Sequence, residues 1–593
     1  MKKSVIGVSA VVLIGLAAAG VYGQLSQTEK VTTKEFSHRN LEIISPAVTM
    51  LLEKAGKFEK PEVAVVVTPR SVGGKPTTSK PPTAIIEKIP GVGGIKKIVT
   101  PRVEIKSKSK VEKIVEDTSL LGKIDKQLKT IDIHVLEAKE KLVVGADISQ
   151  IQQRILSHEL TYEELVGIYL NRIKKYDLNG PKLNAITEIN ADVLAEARKL
   201  DATKAYGNMA LYGMPVLLKD NIGTEKLPTS AGSVALRNWV IGTDAPLVKA
   251  LKTNGALILG KTNMSEWANY MSEGIPNGYS GKQGQVKNPY LDIDPFGSST
   301  GSAVAAASDF AAITIGTETN GSIIAPSAIQ SVVGFKPSLG TVSNALIIPL
   351  SSHFDTPGPI TKSVKDAYFT TEAITNLKMN TKLSTVALKG RRVGLMFDED
   401  YSDSSIQRKI VADLKAAGAI IVREVGFREE EETLFAFSDV LRDDFKRDLN
   451  QFLKGNKAPY QDLAAIIAFN ETDKARNMKY GQSNLLESQN SHVSESVTNE
   501  AAKRLIEESA RNLNQVFQAK KLDAIITINS DNIFTVPIAG FPELTIPAGY
   551  NEGGSPVGAT FIGLNKSDAN LLAMGYAYEQ QSKNRRSPKW DTK

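Results

Sequence analysis

The chain has 593 residues, which is more than one ordinary hydrophobic core usually organises, so we expect one large domain with an appended segment or several smaller domains. An apolar fraction of 41% and a charged fraction of 23% are typical of a globular protein and argue against a polytopic membrane protein or a disordered chain. The sequence contains no cysteine, which excludes disulfides, thiolate metal sites and a cysteine nucleophile.

The N-terminus is typical of an export signal. Lys2 and Lys3 precede a run over residues 5–23 that has no charged side chain and is rich in small residues toward its end. This run also approaches the roughly 20 residues that a membrane-spanning helix needs. We therefore expect residues 1–23 to be a signal peptide or an N-terminal membrane anchor, and the protein to be exported, either extracellular or at the cell surface.

Residues 24–144 form a basic extension. They contain 22 Lys or Arg against 15 Asp or Glu, whereas the chain from residue 145 onward is nearly neutral, with 48 against 50. The net charge of +7 therefore comes from the N-terminal region. Because prolines and glycines divide this segment into short pieces, it is predicted to be a linker or a set of small β-rich elements. A membrane or cell-wall surface is its candidate partner, and no nucleic-acid partner is expected.

An α/β domain is predicted over residues 145–588, with a short tail at 589–593. Its first helix signals are an apolar periodicity from Ile148 and a Thr161–Glu164 pair with the spacing of a capping box. Strand-like apolar runs then alternate with helical stretches. The strand-like runs are 210–218, 256–259, 311–315, 392–396, 419–422 and 523–527, and the helical stretches include 245–253 and 404–417. This alternation predicts a largely buried sheet with helices packed on it.

Three segments could carry chemistry. Residues 296–303 are Phe-Gly-Ser-Ser-Thr-Gly-Ser-Ala, and residues 316–323 are Gly-Thr-Glu-Thr-Asn-Gly-Ser-Ile. Residues 214–221, Met-Pro-Val-Leu-Leu-Lys-Asp-Asn, place Lys219 at the end of an apolar run. Taken alone, a Gly/Ser segment is more often a turn or a phosphate-binding loop, and a lysine at a strand end is usually a solvated cation.

The combination of these segments resembles the amidase signature family. In that family the lysine lies in a Lys-Asp motif and the two catalytic serines are 24 residues apart, as Ser298 and Ser322 are here. The resemblance extends over residues 145–588. Further segments that carry it are 260–267, 334–337, 355–359, 546–549 and 556–558. It implies one large domain with a mixed central sheet covered by helices.

The resemblance also implies a role for each site residue. Ser322 is the expected nucleophile, Ser298 the bridging serine after a cis peptide bond, and Lys219 the general base. The expected oxyanion hole consists of the backbone N–H groups of Thr319, Asn320, Gly321 and Ser322. These roles are chemically coherent, because a serine hydroxyl needs a base to take its proton and burial favours the neutral form of a lysine.

Other catalytic arrangements find less support in the sequence. The five histidines are His38, His134, His158, His353 and His492. Only His353 lies in a matched loop, and a structural or surface role is expected for it. The sequence has no His-Glu-x-x-His motif and no Cys/His ligand spacing, so we expect neither a metal nor a cofactor.

Three positions near Ser322 depart from the common family pattern Gly-Thr-Asp-x-Gly-Gly-Ser-Ile-Arg. They are Glu318, Asn320 and Ile324, at the Asp, first Gly and Arg positions. Loss of the arginine removes a planar cation that could pair with a substrate carboxylate, which disfavours small anionic amides. The same choices, together with segments 347–351 and 445–450, resemble a bacterial subgroup that includes peptide amidases. A C-terminal peptide amide is therefore the leading substrate expectation.

The expected activity is hydrolysis of linear carboxamides, on a small molecule or a peptide, to acid and ammonia through a serine acyl-enzyme. Two alternatives remain open. One is the glutaminase-type subunit of an amidotransferase, against which the export signal counts. The other is a non-catalytic cell-surface binding protein on an amidase scaffold, against which the presence of all three proposed catalytic side chains counts.

Overall fold

The computed structural model describes residues 118–203, 209–375, 379–397, 405–427, 431–531 and 534–590. The predicted signal or anchor at residues 1–23, and the basic extension up to residue 117, lie outside the described residues. In the part of the chain that is described, no helix combines the length and the apolar character needed to cross a membrane.

The strands of the described residues form one mixed sheet and one small hairpin. The strands are β1 (Ile186–Ile189), β2 (Pro215–Lys219), β3 (Leu257–Thr262), β4 (Tyr279–Ser280), β5 (Gly284–Gln285), β6 (Ile313–Glu318), β7 (Val333–Lys336), β8 (Thr356–Thr361), β9 (Arg392–Leu395), β10 (Ile420–Val422), β11 (Ala524–Ile528), β12 (Glu543–Tyr550) and β13 (Pro556–Ile562). The sheet has eleven of them in the order β1-β3-β2-β6-β8-β7-β12-β13-β11-β9-β10, and β4 pairs with β5. The fold is therefore mixed α/β, as predicted.

Helices cover this sheet and also form a separate cluster. They are α1 (Thr118–Leu128), α2 (Ile133–Lys139), α3 (Ile148–Leu156), α4 (Tyr162–Arg172), α5 (Val193–Thr203), α6 (Pro246–Thr253), α7 (Thr300–Ala307), α8 (Ile324–Ile329), α9 (Val364–Thr375), α10 (Ser405–Ala416), α11 (Glu431–Gly455), α12 (Leu463–Glu471), α13 (Lys474–Asn477), α14 (Ser483–Gln489), α15 (Glu495–Lys520), α16 (Thr535–Ile538) and α17 (Asp568–Ser582). The apolar side chains of α11, α12 and α14 share a core with the loops around Met264 and Leu350.

The start of α4 shows how local sequence sets a helix boundary. Thr161 Oγ1 accepts a hydrogen bond from Glu164 N at 3.0 Å, and Glu164 Oε2 accepts one from Thr161 N at 2.9 Å. Each bond satisfies an N–H group that the first helical turn would leave unpaired. The predicted capping box is confirmed.

The folded unit begins upstream of the predicted boundary at residue 145. Helices α1 and α2 lie against α4 and bury Leu120, Ile124 and Leu136. At the other end, Trp590 stacks on Tyr176 with ring centroids 4.8 Å apart, so part of the predicted tail also packs on the domain. Apolar residues within the predicted basic extension thus belong to the hydrophobic core, where their burial stabilises the fold.

The sheet topology brings two of the sequence motifs to one edge. Strand β2 is parallel to both β3 and β6. Parallel neighbours end at the same edge of a sheet, so Lys219 at the end of β2 and Glu318 at the end of β6 lie close together. Helix α7 packs against β2, β6 and β8 through small buried residues such as Ala303 and Ala306, and only Ser299 separates it from Ser298.

Gly301 sets how closely α7 approaches the sheet. A Cβ atom at this position would meet the carbonyl oxygens of Asn263 and Ala185. We expect Gly301→Ala to destabilise the fold by about 1–3 kcal/mol, because the helix must move away from these backbone atoms. Urea unfolding followed by circular dichroism measures this change. Gly122→Ala is the control, because Gly122 is exposed on α1 and a Cβ atom there would meet no other atom within 4 Å. This variant should have the same free energy of unfolding as wild type or a slightly higher one.

Candidate active site

Lys219 is a fully buried lysine at the end of β2. Its Nζ lies 2.8 Å from Ser298 Oγ, 2.9 Å from Ser299 Oγ and 3.0 Å from Thr317 O. The lysine predicted to be catalytic therefore touches one of the two predicted serines directly. Both side chains are shielded from solvent, where a charged amine is costly.

The protonation of Lys219 follows from this burial. Burial lowers the pKa of the Lys219 ammonium from its ordinary value to about 7, while the carboxylates of Asp355 and then Glu318 act in the opposite direction. Near neutral pH the amine is thus present in both its neutral and its charged form. A lysine in this state can accept a proton, which an ordinary surface lysine cannot do at that pH.

Ser298 lies in a tight loop just before α7. The peptide bond between Gly297 and Ser298 is cis, as the family resemblance implies. The carbonyl of Ser298 accepts a hydrogen bond from Ser265 N at 3.1 Å, which ties the loop to the segment after β3. The Ser298 side chain is fully buried, so its hydroxyl has a fixed environment.

Ser322 lies in the turn between β6 and α8, together with Thr319, Asn320 and Gly321. Gly321 has φ +71°, in the region that favours glycine, whereas Asn320 is not among the positive-φ residues. The departure from glycine at Asn320 therefore causes no backbone conflict. Ser322 O accepts a hydrogen bond from Ser299 N at 3.1 Å, which joins the two serine segments.

Glu318 anchors the turn that holds Ser322. Its Oε2 accepts hydrogen bonds from the backbone N–H groups of Ile323 at 2.7 Å and Ile324 at 3.0 Å. A carboxylate at this helix start satisfies two N–H groups that would otherwise be unpaired. The glutamate thus serves as an anchor where the common family pattern has aspartate.

Three polar residues near Lys219 were not predicted from the sequence. Ser299 Oγ donates to Thr317 O at 3.0 Å and accepts from Thr317 N at 3.2 Å. Asn221 Nδ2 donates to Thr317 Oγ1 at 3.0 Å. Ser299 is adjacent to Ser298 in the sequence, but only the folded loop shows that both hydroxyls face the same amine.

The histidines lie apart from this hydrogen-bonded group. His353 Nδ1 lies 2.8 Å from Asp444 Oδ2, in the loop before β8. His134, His158 and His492 are exposed, and His38 lies outside the described residues. Across the described ranges, no group of three or more His, Cys, Asp or Glu side chains is arranged to hold a metal ion.

A groove of about 530 Å³ borders the segment that leads to Ser298. Its lining includes Asn277, Tyr290, Asp294 and Pro295. Asp294 Oδ1 accepts a hydrogen bond from Phe296 N at 2.7 Å, and Asn277 Nδ2 donates to Asp294 Oδ2 at 3.2 Å. The residues that line this groove do not include Lys219, Ser298 or Ser322.

Comparison with known proteins identifies one family. Residues 164–530 match the family model described as Amidase, a range that includes Lys219, Ser298 and Ser322. A protein described as "Probable amidase" from Arabidopsis thaliana is 36% identical over 475 residues, which is 75% of this chain and 91% of the relative. A glutamyl-tRNA(Gln) amidotransferase subunit from Bdellovibrio bacteriovorus is 30% identical over 492 residues, or 74% of this chain and 97% of the relative.

Solved structures show the same similarity. An amidase family protein from Bacillus anthracis is 42% identical with a TM-score of 0.77, covering 79% of this chain and 97% of that one. The peptide amidase from Stenotrophomonas maltophilia is 35% identical with a TM-score of 0.70, covering 75% of this chain and 99% of that one.

Proposed function

Because the chain belongs to the amidase family and is an amidase, we propose that it hydrolyses linear carboxamides to the carboxylic acid and ammonia through an acyl-enzyme on Ser322. The observation that carries this proposal is the distance of 2.8 Å between Lys219 Nζ and Ser298 Oγ. A base and a hydroxyl at hydrogen-bond distance are the first requirement for activating a serine.

As an ammonium, Lys219 Nζ donates to Ser298 Oγ, Ser299 Oγ and Thr317 O. In the neutral form the same arrangement favours a lone pair directed at Ser298. Ser299 Oγ donates to Thr317 O, so toward Lys219 it acts as an acceptor, and the carbonyl of Thr317 can only accept. A neutral amine has two N–H groups for these two acceptors. Its lone pair then remains for the O–H of Ser298, which makes Lys219 the base and Ser298 the proton relay.

The proposed reaction proceeds in two halves. Ser322 Oγ attacks the amide carbon while its proton passes to Ser298, whose own proton passes to Lys219. When the tetrahedral intermediate breaks down, the C–N bond cleaves and the relay returns the proton to the nitrogen, which leaves as ammonia. Water then attacks the acyl ester with the same relay, and the carboxylic acid leaves as the Ser322 hydroxyl is restored.

The negative oxygen of each tetrahedral intermediate needs hydrogen-bond donors. We assign this role to the backbone N–H groups of Thr319, Asn320, Gly321 and Ser322, which lie in one turn beside the nucleophile. A donor held in place before the reaction contributes about 3–4 kcal/mol to the transition state. Their backbone origin explains why the side chain of Asn320 is compatible with this role.

For the substrate we propose a C-terminal peptide amide. Two observations support this choice: the similarity to the peptide amidase from Stenotrophomonas maltophilia, and Ile324 at the position where the common family pattern has arginine. An aliphatic side chain offers no cation to a small anionic amide.

A panel of amides tests the function and the substrate class. We expect ammonia release from peptide amides, with kcat/KM at least tenfold above that for simple aliphatic amides, and no cleavage of internal peptide bonds. The assay contains the purified chain alone, because an amidotransferase component would release ammonia from glutamine and would need its partner proteins for efficient turnover. Ammonia from glutamine only in the presence of partners would favour that second function, while turnover of no amide would favour a binding protein.

We also propose that the protein is exported, on the basis of Lys2, Lys3 and the uncharged run over residues 5–23. The mass of the protein recovered from producing cells distinguishes a cleaved signal from a retained anchor. An unprocessed chain found only in the cytoplasm would contradict export.

A further inference from the structure

Asp355 precedes β8 and forms hydrogen bonds to two separate parts of the site. Its Oδ1 accepts a hydrogen bond from Thr319 Oγ1, in the turn that holds the proposed nucleophile. Its Oδ2 accepts from Leu350 N at 2.8 Å and from Ser351 N at 3.1 Å. One carboxylate thus joins the turn after β6 to the loop 346–355.

That loop is also hydrogen-bonded to the segment that follows Lys219. Ile348 N donates to Asn221 O at 2.9 Å, and Leu346 O accepts from Gly223 N at 2.8 Å. Asn221 is two residues beyond Lys219. The loop 346–355 is therefore bonded both to the segment after Lys219 and to the turn that holds Ser322. Asp355 makes the bond to that turn.

Helix α11 holds the same loop from its other side. Asp444 is fully buried and accepts hydrogen bonds from Ser351 Oγ and from His353, and Arg447 donates to Asp444. Asp448 Oδ2 accepts from Ser352 N at 2.7 Å. These contacts fix the loop on both sides, so the carboxylate of Asp355 has a defined position relative to Thr319.

We propose that Asp355 is a positioning residue for the amidase reaction, which holds Thr319 and the turn 319–322 in place and places a carboxylate charge at the site. This inference rests on the proposed function of Lys219 and Ser322. It adds a residue that contacts neither serine and acts through Thr319 and through its charge.

The charges around the site support the second part of the proposal. Asp355 and Glu318 are the carboxylates that raise the pKa of Lys219 against the effect of burial, and Asp355 has the larger influence. Burial raises the pKa of Asp355 itself to about 6, against the hydrogen bonds from Thr319, Leu350 and Ser351, and the charge of Asp448 acts in the same direction as burial. Asp355 is therefore ionised at the pH where Lys219 titrates, and it loses its charge below about pH 6.

Asp355→Asn in the full chain tests the proposal, because asparagine keeps the size of the side chain and removes its charge. We expect kcat to fall 10- to 100-fold with KM within threefold. We also expect the acidic limb of the kcat/KM profile to move to lower pH, because without this carboxylate Lys219 loses its proton more easily. Thr319→Val removes the hydroxyl but keeps the charge, so it should lower kcat and leave the acidic limb in place.

Asp448→Asn is the matched control. It removes a carboxylate of the same neighbourhood that bonds Ser352 rather than Thr319. Asp355 and Glu318, and not Asp448, are the carboxylates that raise the pKa of Lys219. The acidic limb of this variant should therefore stay within about 0.2 pH units of wild type. A purely structural role for Asp355 would instead lower the melting temperature and the activity without moving the limb. That outcome would overturn the charge part of the proposal.

Labelling of Ser322 by a fluorophosphonate separates this inference from the proposed function. If wild type is not labelled at Ser322, the proposed nucleophile is wrong. If wild type is labelled and Asp355→Asn is labelled at the same rate at every pH, the role of Asp355 is wrong and the function stands. If Asp355→Asn does not fold, Thr319→Val decides the positioning role, and an unchanged kcat in that variant would overturn it.

Discussion

Ser322→Ala should lower kcat for amide hydrolysis by a factor on the order of 10⁴ to 10⁶, because the acyl-enzyme can no longer form. The variant should still bind substrate and should fold like wild type, since the side chain loses only a hydroxyl. Steady-state ammonia release measures the fall in kcat. Mass spectrometry should detect a trapped acyl-enzyme in wild type and none in the variant.

Ser327→Ala is the control for this experiment. Ser327 lies in α8 a few residues beyond Ser322, is also buried, and has no proposed role in the reaction. Its replacement should leave kcat within about threefold, a loss far below that expected for a nucleophile. Equal activity of Ser322→Ala and wild type would show that another residue carries the acyl group.

Lys219→Arg should abolish activity at every accessible pH. Arginine retains a positive charge but does not give up its proton in this range, so it cannot act as a base. In wild type the pKa of Lys219 is about 7. Because only the neutral amine is active, kcat/KM should fall tenfold for each pH unit below about 7 and reach a plateau above it.

A second buried lysine provides the control for the pH profile. Burial lowers the pKa of Lys261 to about 8, and its Nζ donates to Ile222 O and Thr229 Oγ1, away from both serines. The acidic limb should therefore remain near pH 7 in Lys261→Met. A limb that disappears in Lys261→Met and persists in Lys219→Arg would show that Lys261, and not Lys219, is the base.

The sequence predicted those features that depend on local pattern. The apolar run before Lys219 predicted a strand that ends at the lysine, and β2 ends there. The Thr161–Glu164 pair predicted the start of α4 because a capping box needs only four consecutive residues.

Features that depend on tertiary contact were not predictable in this way. Helices α1 and α2 lie in a segment whose basic composition predicted a linker. Their contacts with α4 show that they belong to the domain. The spacing of 24 residues predicted Ser298 and Ser322 as catalytic residues. Nothing in the sequence indicated that Ser299 also contacts Lys219. Asp355 lies 36 residues from Thr319 in the chain, and their contact arises from the pairing of β6 with β8.

The burial of Lys219 couples proton binding to folding. Its pKa of about 7 in the folded protein lies well below the ordinary value of 10.5, so between these pH values the unfolded chain holds a proton that the folded chain lacks. Unfolding there takes up a proton, and this residue's contribution to the free energy of unfolding rises with pH across that window. Below pH 7 the amine is charged in both states, and its burial opposes folding by on the order of 5 kcal/mol.

Buried carboxyl groups have the opposite linkage. Burial raises the pKa of Asp177 and Asp366 to about 7 and that of Glu266 and Glu579 to about 8. Each of these groups releases a proton on unfolding between its ordinary pKa and the raised one, so its contribution to stability falls as the pH rises. The amine that is proposed to do the chemistry is thus a source of instability at neutral pH and below, which the rest of the core must offset.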